Sequence, residues 1–543
     1  MATVTATPTL YARLSPWLVG IVGFSEVGET TTIGGTLTDI TADTRIGIQP
    51  IEVSYGIQSS GPLDRVAETG TIVFALDNSS SNSTGNAGAY SPGHANAISG
   101  WDIGVDIILK IAYAGTDYYK FAGTLVSIEP DAGQYQRRAV ICTGVDWMDE
   151  AALTKVRSVT IQTDKRSDEL IQLLVEESIS KQPLATSYGE GQSTFDIAFD
   201  NLLDAQTSVI RALSDCVISE LGYLYIKGDT TQGGTLTFED RHARPKKGAP
   251  VGSFDNTMSG LSVKRNRDDI INTVYVVVHP RTTADATSVL YELTTTGTTP
   301  SVPAQESITI NCPYREASIN AYRVAASTIE TPLSGTDWIA NSAADGSGSN
   351  QTSSVTVTVE TQAANAVTLN IANSHATIDA YLTTLQVRGT SIKDVTETVM
   401  SANNESSAFT YGEKDARIDM KYESNAGEFG NEIAKWILNV YKDARYVIKN
   451  FELASNTSVY LMTQSLAREP GDKITLAEAM TGIVETVGAG QVGFFINGVN
   501  MTIDAGGIIT TNWALAPASQ SAAWVLNQVG ASELGLTTNL GFA

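Results

Sequence analysis

The sequence predicts a mainly β protein with a few helices. Between Val53 and Glu150, apolar and polar residues alternate in several segments, as they do in strands that bury one face. Only 17% of the residues are charged, 42% are apolar, and Gly, Ser, Thr, Asn and Ala are abundant. This composition favours short strands joined by turns over long charged helices. A chain of 543 residues is also too long for one hydrophobic core, so we expect about three to five domains.

The first predicted unit is a closed β module over residues 46–160, preceded by an N-terminal arm over residues 1–45. Alternation predicts strands at residues 71–77 and from Trp101 to Ile111. The Ser-, Asn- and Gly-rich segment 78–100 between them is expected to form a flexible polar loop.

A helix and hairpin domain is predicted over residues 161–243. Between Gln162 and Ser180 the apolar spacing becomes helical, and a second helical stripe runs from Asp204, a candidate N-cap, to Leu221. Two strands around a turn follow, at residues 222–229 and 233–241. The sequence therefore predicts a change from sheet to helix at this point.

A second β module is predicted in two parts, residues 244–336 and residues 401–543, with a β-sandwich inserted at 337–400. The nearly all-apolar segment Asp269–Pro280 predicts a strand buried on both faces. The polar segment Asp345–Gln351 marks the entry to the sandwich, whose strands alternate from Val355 to about Ile392.

Two further elements are expected in the last third of the chain. The spacing of apolar residues predicts a helix from Glu428 to Asp443. Asn497-Gly498 predicts the turn of a two-residue hairpin, because both residues adopt positive φ readily. We find no sequence repeat between the two predicted β modules.

Seven segments of the sequence carry a resemblance to a known family. They are Ser60-Gly61-Pro62, Arg65-Val66-Ala67, Ala89-Tyr90-Ser91-Pro92, Phe121-Ala122-Gly123, Trp513–Pro517, Trp524–Asn527 and Leu534–Thr538. These segments resemble hub and minor tail proteins of tailed bacteriophages. The helix and hairpin domain resembles the small domain that links the two barrels of tail hubs. The resemblance implies that the two β modules are tail-tube-like β-barrels.

The resemblance also implies a function and a set of partners. The chain would be a structural hub protein of a phage tail tip or baseplate, with distal tail ring, tape measure and tail fibres as partners. Two tube-like modules in each of three copies would match a sixfold tail tube, so a homotrimeric ring is expected, with a hexamer as the alternative. DNA would only pass through its lumen during ejection. A distal tail ring, a receptor-binding protein that uses the 337–400 sandwich, and a cell-wall polysaccharide hydrolase remain alternatives.

The charge and the N-terminus bear on where such a chain works. The formal net charge is −24, which disfavours tight nonspecific binding to nucleic acid but suits an acidic DNA conduit. Asp102 and Asp106 are candidates for its lining. Residues 1–24 contain one positive residue, Arg13, and an apolar run too short for a signal core. We therefore expect synthesis in the host cytoplasm without a signal peptide, no stable membrane insertion, and a final location in the virion tail tip.

Residues that could carry chemistry are few. Cys142, Cys216 and Cys312 lack paired spacing, so they predict small buried apolar side chains rather than disulfides or a zinc site. The four histidines are His94, His242, His279 and His375. None has metal-ligand spacing with another His or Cys, and surface or turn positions are expected for all four.

The remaining motifs also favour structural roles. Asp102 and Asp106 are expected on one strand face, where a solvated barrel surface is favoured over a glycosidase pair. Residues 78–86 lack the spacing of a calcium loop. Lys246-Lys247, with Arg241 and Arg244 nearby, predicts an interdomain surface rather than a phosphate site. Hydrolase, Walker and dinucleotide motifs do not occur. The sequence thus predicts no enzyme, with no catalytic residues, no cofactor and no metal.

Overall fold

The computed structural model describes most of the chain between Val4 and Ala518. The strands and helices of this part confirm the predicted mainly β class with a few helices. Asp204, predicted as a helix N-cap, and the segments Trp524–Asn527 and Leu534–Thr538, which carry part of the resemblance, lie outside the described residues. The described ranges are 4–14, 36–131, 137–157, 159–200, 202, 206–255, 257–293, 299–315, 324–394, 397–478, 481 and 493–518.

The first β region is a sheet in which alternate side chains point into a core. Ile72, Phe74 and Leu76 are fully buried, while Thr71 and Val73 on the opposite face are half-buried. The strands are β1 (Thr7–Leu14), β2 (Thr36–Asp39), β3 (Ile51–Gly56), β4 (Thr71–Asp77), β5 (Asp106–Tyr113), β6 (Thr116–Pro130) and β7 (Ala139–Val145).

The predicted strand from Trp101 to Ile111 is correct only from Asp106 onward. Residues 102–104 form a turn, because Gly104 adopts a φ of 94°, a conformation that favours glycine. Trp101 precedes this turn and is buried, and its indole N–H donates to the Tyr90 carbonyl (3.2 Å). Asp102 and Asp106 therefore do not share a strand face.

The helix and hairpin unit follows as the periodicity predicts. The helix expected between Gln162 and Ser180 is α2, in which Glu169 accepts from the Arg166 backbone N–H (3.0 Å). The next helix, α3, ends at Leu221, whose φ of 59° is left-handed. The elements are α1 (Trp147–Leu153), β8 (Gln162–Arg166), α2 (Ser167–Ser178), β9 (Ala185–Tyr188), β10 (Thr194–Ala198), α3 (Val209–Glu220), β11 (Tyr223–Lys227) and β12 (Thr235–Glu239).

The strand predicted at 269–280 lies in a small α/β unit of its own. This strand, β15, is the centre of a three-stranded sheet, and Val274, Val276 and Val278 are fully buried. The strands that follow the connector are β13 (Gly252–Asp255), β14 (Gly260–Arg265) and β15 (Thr273–Val278).

The inserted β-sandwich begins earlier than residue 337. Leu290, Val302 and Tyr314 belong to the same core as Trp338 and Leu385. This core reaches back before residue 337 because β24, a long strand, pairs with five others, including β16, which begins at Arg281. The polar segment 345–351, predicted as the entry, is a loop inside the unit. Its strands are β16 (Arg281–Thr283), β17 (Ser288–Glu292), β18 (Ser301–Val302), β19 (Ser307–Pro313), β20 (Ala325–Ile329), β21 (Trp338–Asn341), β22 (Val355–Gln362), β23 (Ala366–Asn373) and β24 (Ala380–Asp394).

The last third completes both the small α/β unit and the large sheet. Strands β25 and β26 flank β15, and the predicted helix at 428–443 is α5, preceded by a π-helical turn at Ala426–Gly430. The elements are β25 (Thr398–Asn403), α4 (Glu405–Tyr411), β26 (Asp415–Met420), α5 (Asn431–Tyr441), β27 (Tyr446–Ala454), α6 (Val459–Ala467), β28 (Lys473–Ala477), β29 (Gly493–Asp504) and β30 (Ile508–Pro517).

One sheet unites strands from both predicted β modules, although other strands of the second module lie in separate sheets. Its order is β14-β27-β30-β29-β3-β4-β7-β6-β5-β1-β2, and β28 and β13 continue from β29 on a side branch. The pairing of β29 with β3 joins the halves, and one connected core contains Phe74 from the first region and Trp513 from the last. Whether this sheet counts as two barrel modules, with the boundaries given above, stays a prediction.

The hairpin turn predicted at Asn497-Gly498 is wrong. Both residues lie inside β29, at a bulge where the strand changes its neighbour on one side from β28 to β3. A Cβ at Gly498 would meet the Ile57 carbonyl oxygen at 2.8 Å, so close backbone approach explains the glycine. The β29–β30 turn is at residues 505–507, where Gly506 and Gly507 have positive φ.

Candidate functional site

The face of the large sheet that points away from its core is the first candidate surface. Asn500 donates from its amide to Gln58 (2.8 Å), and Asn512 hydrogen bonds to Asn450 on the neighbouring strand. Hydroxyl and amide side chains occupy five of the six positions from Thr124 to Asn512 along the central row, which we call the hydroxyl–amide row. In sheet order its residues are Leu37, Arg13, Asp106, Thr124, Val145, Thr71, Ser54, Asn500, Asn512, Glu452 and Gly260.

Asp106 lies on this row, but its charge is compensated. Its carboxylate contacts Lys181 (2.8 Å) and Arg13 (3.6 Å). Asp102 lies in the preceding turn and accepts from the Ile103 backbone N–H (2.8 Å). The two acids therefore do not form a paired carboxylate site or a bare acidic stripe, and the acidic lining predicted from them has no support in their positions.

The two ends of the sheet are the second candidate surface. Among the described residues, β2 pairs only with β1 and β14 pairs only with β27. The Ile40 N–H donates to Leu10, and the Ser259 N–H donates to Glu452. Because N–H groups alternate in direction along a strand, that of Leu37 points outward, and β14 has a neighbour on one side only in the described part of the chain. Leu37 is also 44% exposed, so both edges offer backbone groups to another strand.

A buried polar junction holds the helix and hairpin unit against the large sheet. Arg244 is 1% exposed, donates to Glu239 (3.1 Å) and Asn497 (2.8 Å), and stacks on the Tyr223 ring (3.5 Å). Burial alone would raise the pKa of Glu239, but Arg244 and Lys247 outweigh that effect and lower it. Glu239 is therefore ionised and paired inside the junction.

A second buried pair lies beside the first. Lys120 on β6 hydrogen bonds to Glu469, which also accepts from the Tyr55 hydroxyl (2.9 Å) and the Gly228 N–H (2.9 Å). Burial, followed by the Glu469 charge, raises the pKa of Tyr55 well above its usual value. Sequence reasoning missed Lys120 and Glu469. The lysine within Tyr118-Tyr119-Lys120-Phe121 is the signal that could have found them.

The basic cluster predicted as an interdomain surface is built into ion pairs. Arg241 contacts Glu220 (3.1 Å), and Lys247 contacts Glu239 and the Gly471 carbonyl. The pairs of Arg244 and Lys247 join the connector to the hairpin strand β12 and to the large sheet, which agrees with the interdomain interpretation.

The histidines do not converge. His279 is buried, not at the surface as expected, and it contacts Asp419 at 2.5 Å. It is buried because it ends β15, the central strand of its sheet. His94 and His375 each accept a hydrogen bond from a nearby backbone N–H in a turn. In the part of the chain that the structure describes, no three His, Cys, Asp or Glu residues cluster in a way that could hold a metal ion.

The cysteines and the polar loop have structural roles. All three cysteines are buried, as predicted, and burial raises the pKa of Cys142 and of Cys312 to about 12. The loop at 78–100, expected to be flexible, is held by hydrogen bonds instead: buried Asp43 accepts from the Ser83 N–H (2.6 Å) and from the Tyr90 hydroxyl (2.5 Å).

Asp146 provides a test of the electrostatics. It caps α1 by accepting from the Met148 N–H (3.0 Å), and burial raises its pKa to about 7. Because the folded-state pKa lies above the unfolded value of about 3.9, this carboxyl costs stability as the pH rises from about 4 to 7. Asp146→Asn, which keeps the cap acceptor, should therefore stabilise the protein more at pH 8 than at pH 4. Urea unfolding at both pH values measures this, and an equal change at both would contradict it.

No protein-family model matches the chain, and no curated protein matches it. Similar solved structures are a 43 kDa tail protein of prophage MuSo2 from Shewanella oneidensis (7% identity, 95% of this chain and 99% of that chain, TM-score 0.45) and a tail protein from Neisseria meningitidis (8%, 94% and 96%, 0.45). A third is an E. coli type VI secretion component described as similar to phage T4 tail proteins gp27 and gp5 (8%, 87% and 76%, 0.34).

These solved structures are phage tail proteins or proteins described as similar to them, which is the class of protein that the sequence resembles. With TM-scores below 0.5, they assign no activity or partner to this chain. Within the described ranges, none of the helices has the length and hydropathy that crossing a membrane requires.

Proposed function

We propose that this chain is a structural subunit of the tail tip or baseplate hub of a tailed phage or phage-derived particle. The observation that carries the proposal is the single large sheet, whose main strand order ends in β2 and β14, each paired on one side only among the described residues. Together with the resemblance of the sequence to tail hubs, it supports a ring of identical subunits that continues the tail tube.

The two edges are different surfaces of one chain. Contact between unlike surfaces of neighbouring copies repeats around an axis and closes when the rotation fits. Since each copy carries two β regions in one sheet, three copies would supply six positions. We therefore propose a trimer, with distal tail ring, tape measure and tail fibres as neighbours in the virion.

The hydroxyl–amide row suits a surface past which DNA moves. DNA binds strongly where lysine and arginine replace its counterions, and the row has neither residue from Thr71 to Asn512. We propose that this segment of the row lines the lumen. The lining there would be uncharged rather than acidic, because it consists of the hydroxyl and amide side chains of Thr71, Ser54, Asn500 and Asn512.

Native mass spectrometry of the purified chain tests the ring. A mass three times 57.6 kDa supports the trimer, and a sixfold mass supports the hexamer. If the chain stays monomeric even at the highest protein concentration measured, the ring proposal is contradicted. The proposal assigns no catalysis to the chain, because the described cysteines are buried and His279 is buried in contact with Asp419.

The sandwich is expected to be dispensable for ring formation. It has its own core, and its two ends are adjacent, because the Ala284 N–H donates to the Ser391 carbonyl (2.8 Å). Replacing residues 285–390 by a short Gly-Ser linker should therefore leave the remaining sheet folded and the oligomer mass reduced only by the deleted residues. Native mass spectrometry and circular dichroism measure this. A folded but monomeric product would place the sandwich in the ring contacts.

A further inference from the structure

An apolar cleft lies between the outward face of the first β region and the helix and hairpin unit. Its volume is about 440 Å³. Ile108 on β5, Ala122 on β6 and Trp147 on α1 form its buried floor. Clefts of this size that are mainly apolar are typical binding sites.

Large aliphatic side chains are exposed around the rim of this cleft. Leu153 at the end of α1 is 71% exposed, and Ile103 in the turn before β5 is 61% exposed. Leu184 and Val126 complete the rim and are also exposed. Four such side chains around one concavity form a contiguous apolar patch, which in soluble proteins marks an interaction site.

The side chains that line the cleft include more acidic than basic residues. Its two cations, Arg13 and Lys181, both contact Asp106. Asp149 and Glu150 on α1 also line the cleft. Asp149 has no ion pair among the described residues, and Glu150 accepts only from the Thr154 hydroxyl (3.3 Å). An occupant must therefore offer apolar groups to the floor and positive charge to α1.

We propose that this cleft docks a segment of another protein that carries apolar side chains flanked by lysine or arginine. Apolar anchors would fill the space between Leu153, Ile103 and Leu184, and the cations would contact Asp149 and Glu150. A second copy of this chain fits less well, because each copy has a net charge of −24 and like charges repel. The proposal goes beyond the ring and does not depend on it.

Binding of a labelled peptide tests the proposal, with fluorescence anisotropy as the measurement. The probe alternates lysine with leucine and one phenylalanine. One comparison peptide has serine at the apolar positions, and another has glutamate at the lysine positions. The wild-type chain should bind the probe at least about tenfold more tightly than either comparison peptide, since loss of a central apolar anchor or of charge complementarity has effects of this size.

Variants then locate the binding. Ile103→Ser with Leu153→Ser should weaken probe binding about tenfold, and Asp149→Asn with Glu150→Gln should weaken it and reduce its salt dependence. The matched control is Leu333→Ser with Ile339→Ser, which removes two exposed aliphatic side chains from the sandwich and should leave binding unchanged.

Several results would overturn the proposal. These are absence of probe binding to the wild-type chain, equal binding of the serine peptide, and equal loss in the sandwich control. A change in oligomer mass caused by the Ile103 and Leu153 substitutions would instead assign the cleft to a second copy. Failure of ring formation with normal probe binding would count against the proposed function alone.

Discussion

Replacing Arg244 with alanine is expected to lower the free energy of unfolding by about 3 kcal/mol, since breaking a buried ion pair is strongly destabilising even where a second cation compensates part of the remaining charge. Arg244 is buried, contacts Glu239 and Asn497, and stacks on Tyr223. The substitution would leave Glu239 with Lys247 as its remaining cation and would leave a cavity against the ring. The midpoint of urea unfolding, followed by tryptophan fluorescence, measures the loss.

Arg417→Ala is the matched control. Arg417 also pairs with a carboxylate, Glu397 at 3.2 Å, but both side chains are largely exposed. Exposed pairs of this kind contribute about 0–1 kcal/mol. Similar shifts for Arg417→Ala and Arg244→Ala would show that the junction does not hold the two units together.

Proline at Leu37 is expected to abolish the oligomer without unfolding the chain. The Leu37 N–H points away from β1, so its loss breaks no bond to β1, while proline on an edge strand blocks pairing with a neighbour. Native mass spectrometry should show the monomer alone. The thermal unfolding midpoint should stay close to that of the wild type.

Leu37→Val retains the N–H and should assemble normally. If Leu37→Pro still forms the full oligomer, β2 is not a ring contact, and the proposal that the sheet edges close the ring is wrong. If the proline variant unfolds, Leu37→Lys provides the same test on β2, because a lysine on an edge strand also opposes pairing with a neighbour and keeps every backbone hydrogen bond.

Local patterns predicted the elements that depend on neighbouring residues. The helices α2 and α5 and the buried strand β15 lie where apolar spacing places them, because one face or both faces of each element are buried regardless of its partner. The turn before Asp106 shows that the end of an element can be set by a single residue such as Gly104.

Long-range pairing could not be predicted from these patterns. Asn497-Gly498 has the composition of a turn, but its surroundings are supplied by Arg244 and Ile57, which are far away in the sequence. Likewise, Lys120 becomes a buried residue only because Glu469 reaches it. The start of the sandwich at Arg281 depends on pairing with Asp394 at the far end of β24, which no local signal near either residue reveals.

The pairing of β3 with β29 also determines when the protein can finish folding. Gln58 and Asn500, which hydrogen bond across this pair, are 442 residues apart. A ribosome adds about 5–20 residues per second, so β3 emerges tens of seconds before its partner. During that interval one side of β3 has no partner strand, and an unpaired edge can pair with other chains. We therefore expect truncated chains that end before Gly493 to aggregate, and slow synthesis to lower the yield of soluble protein.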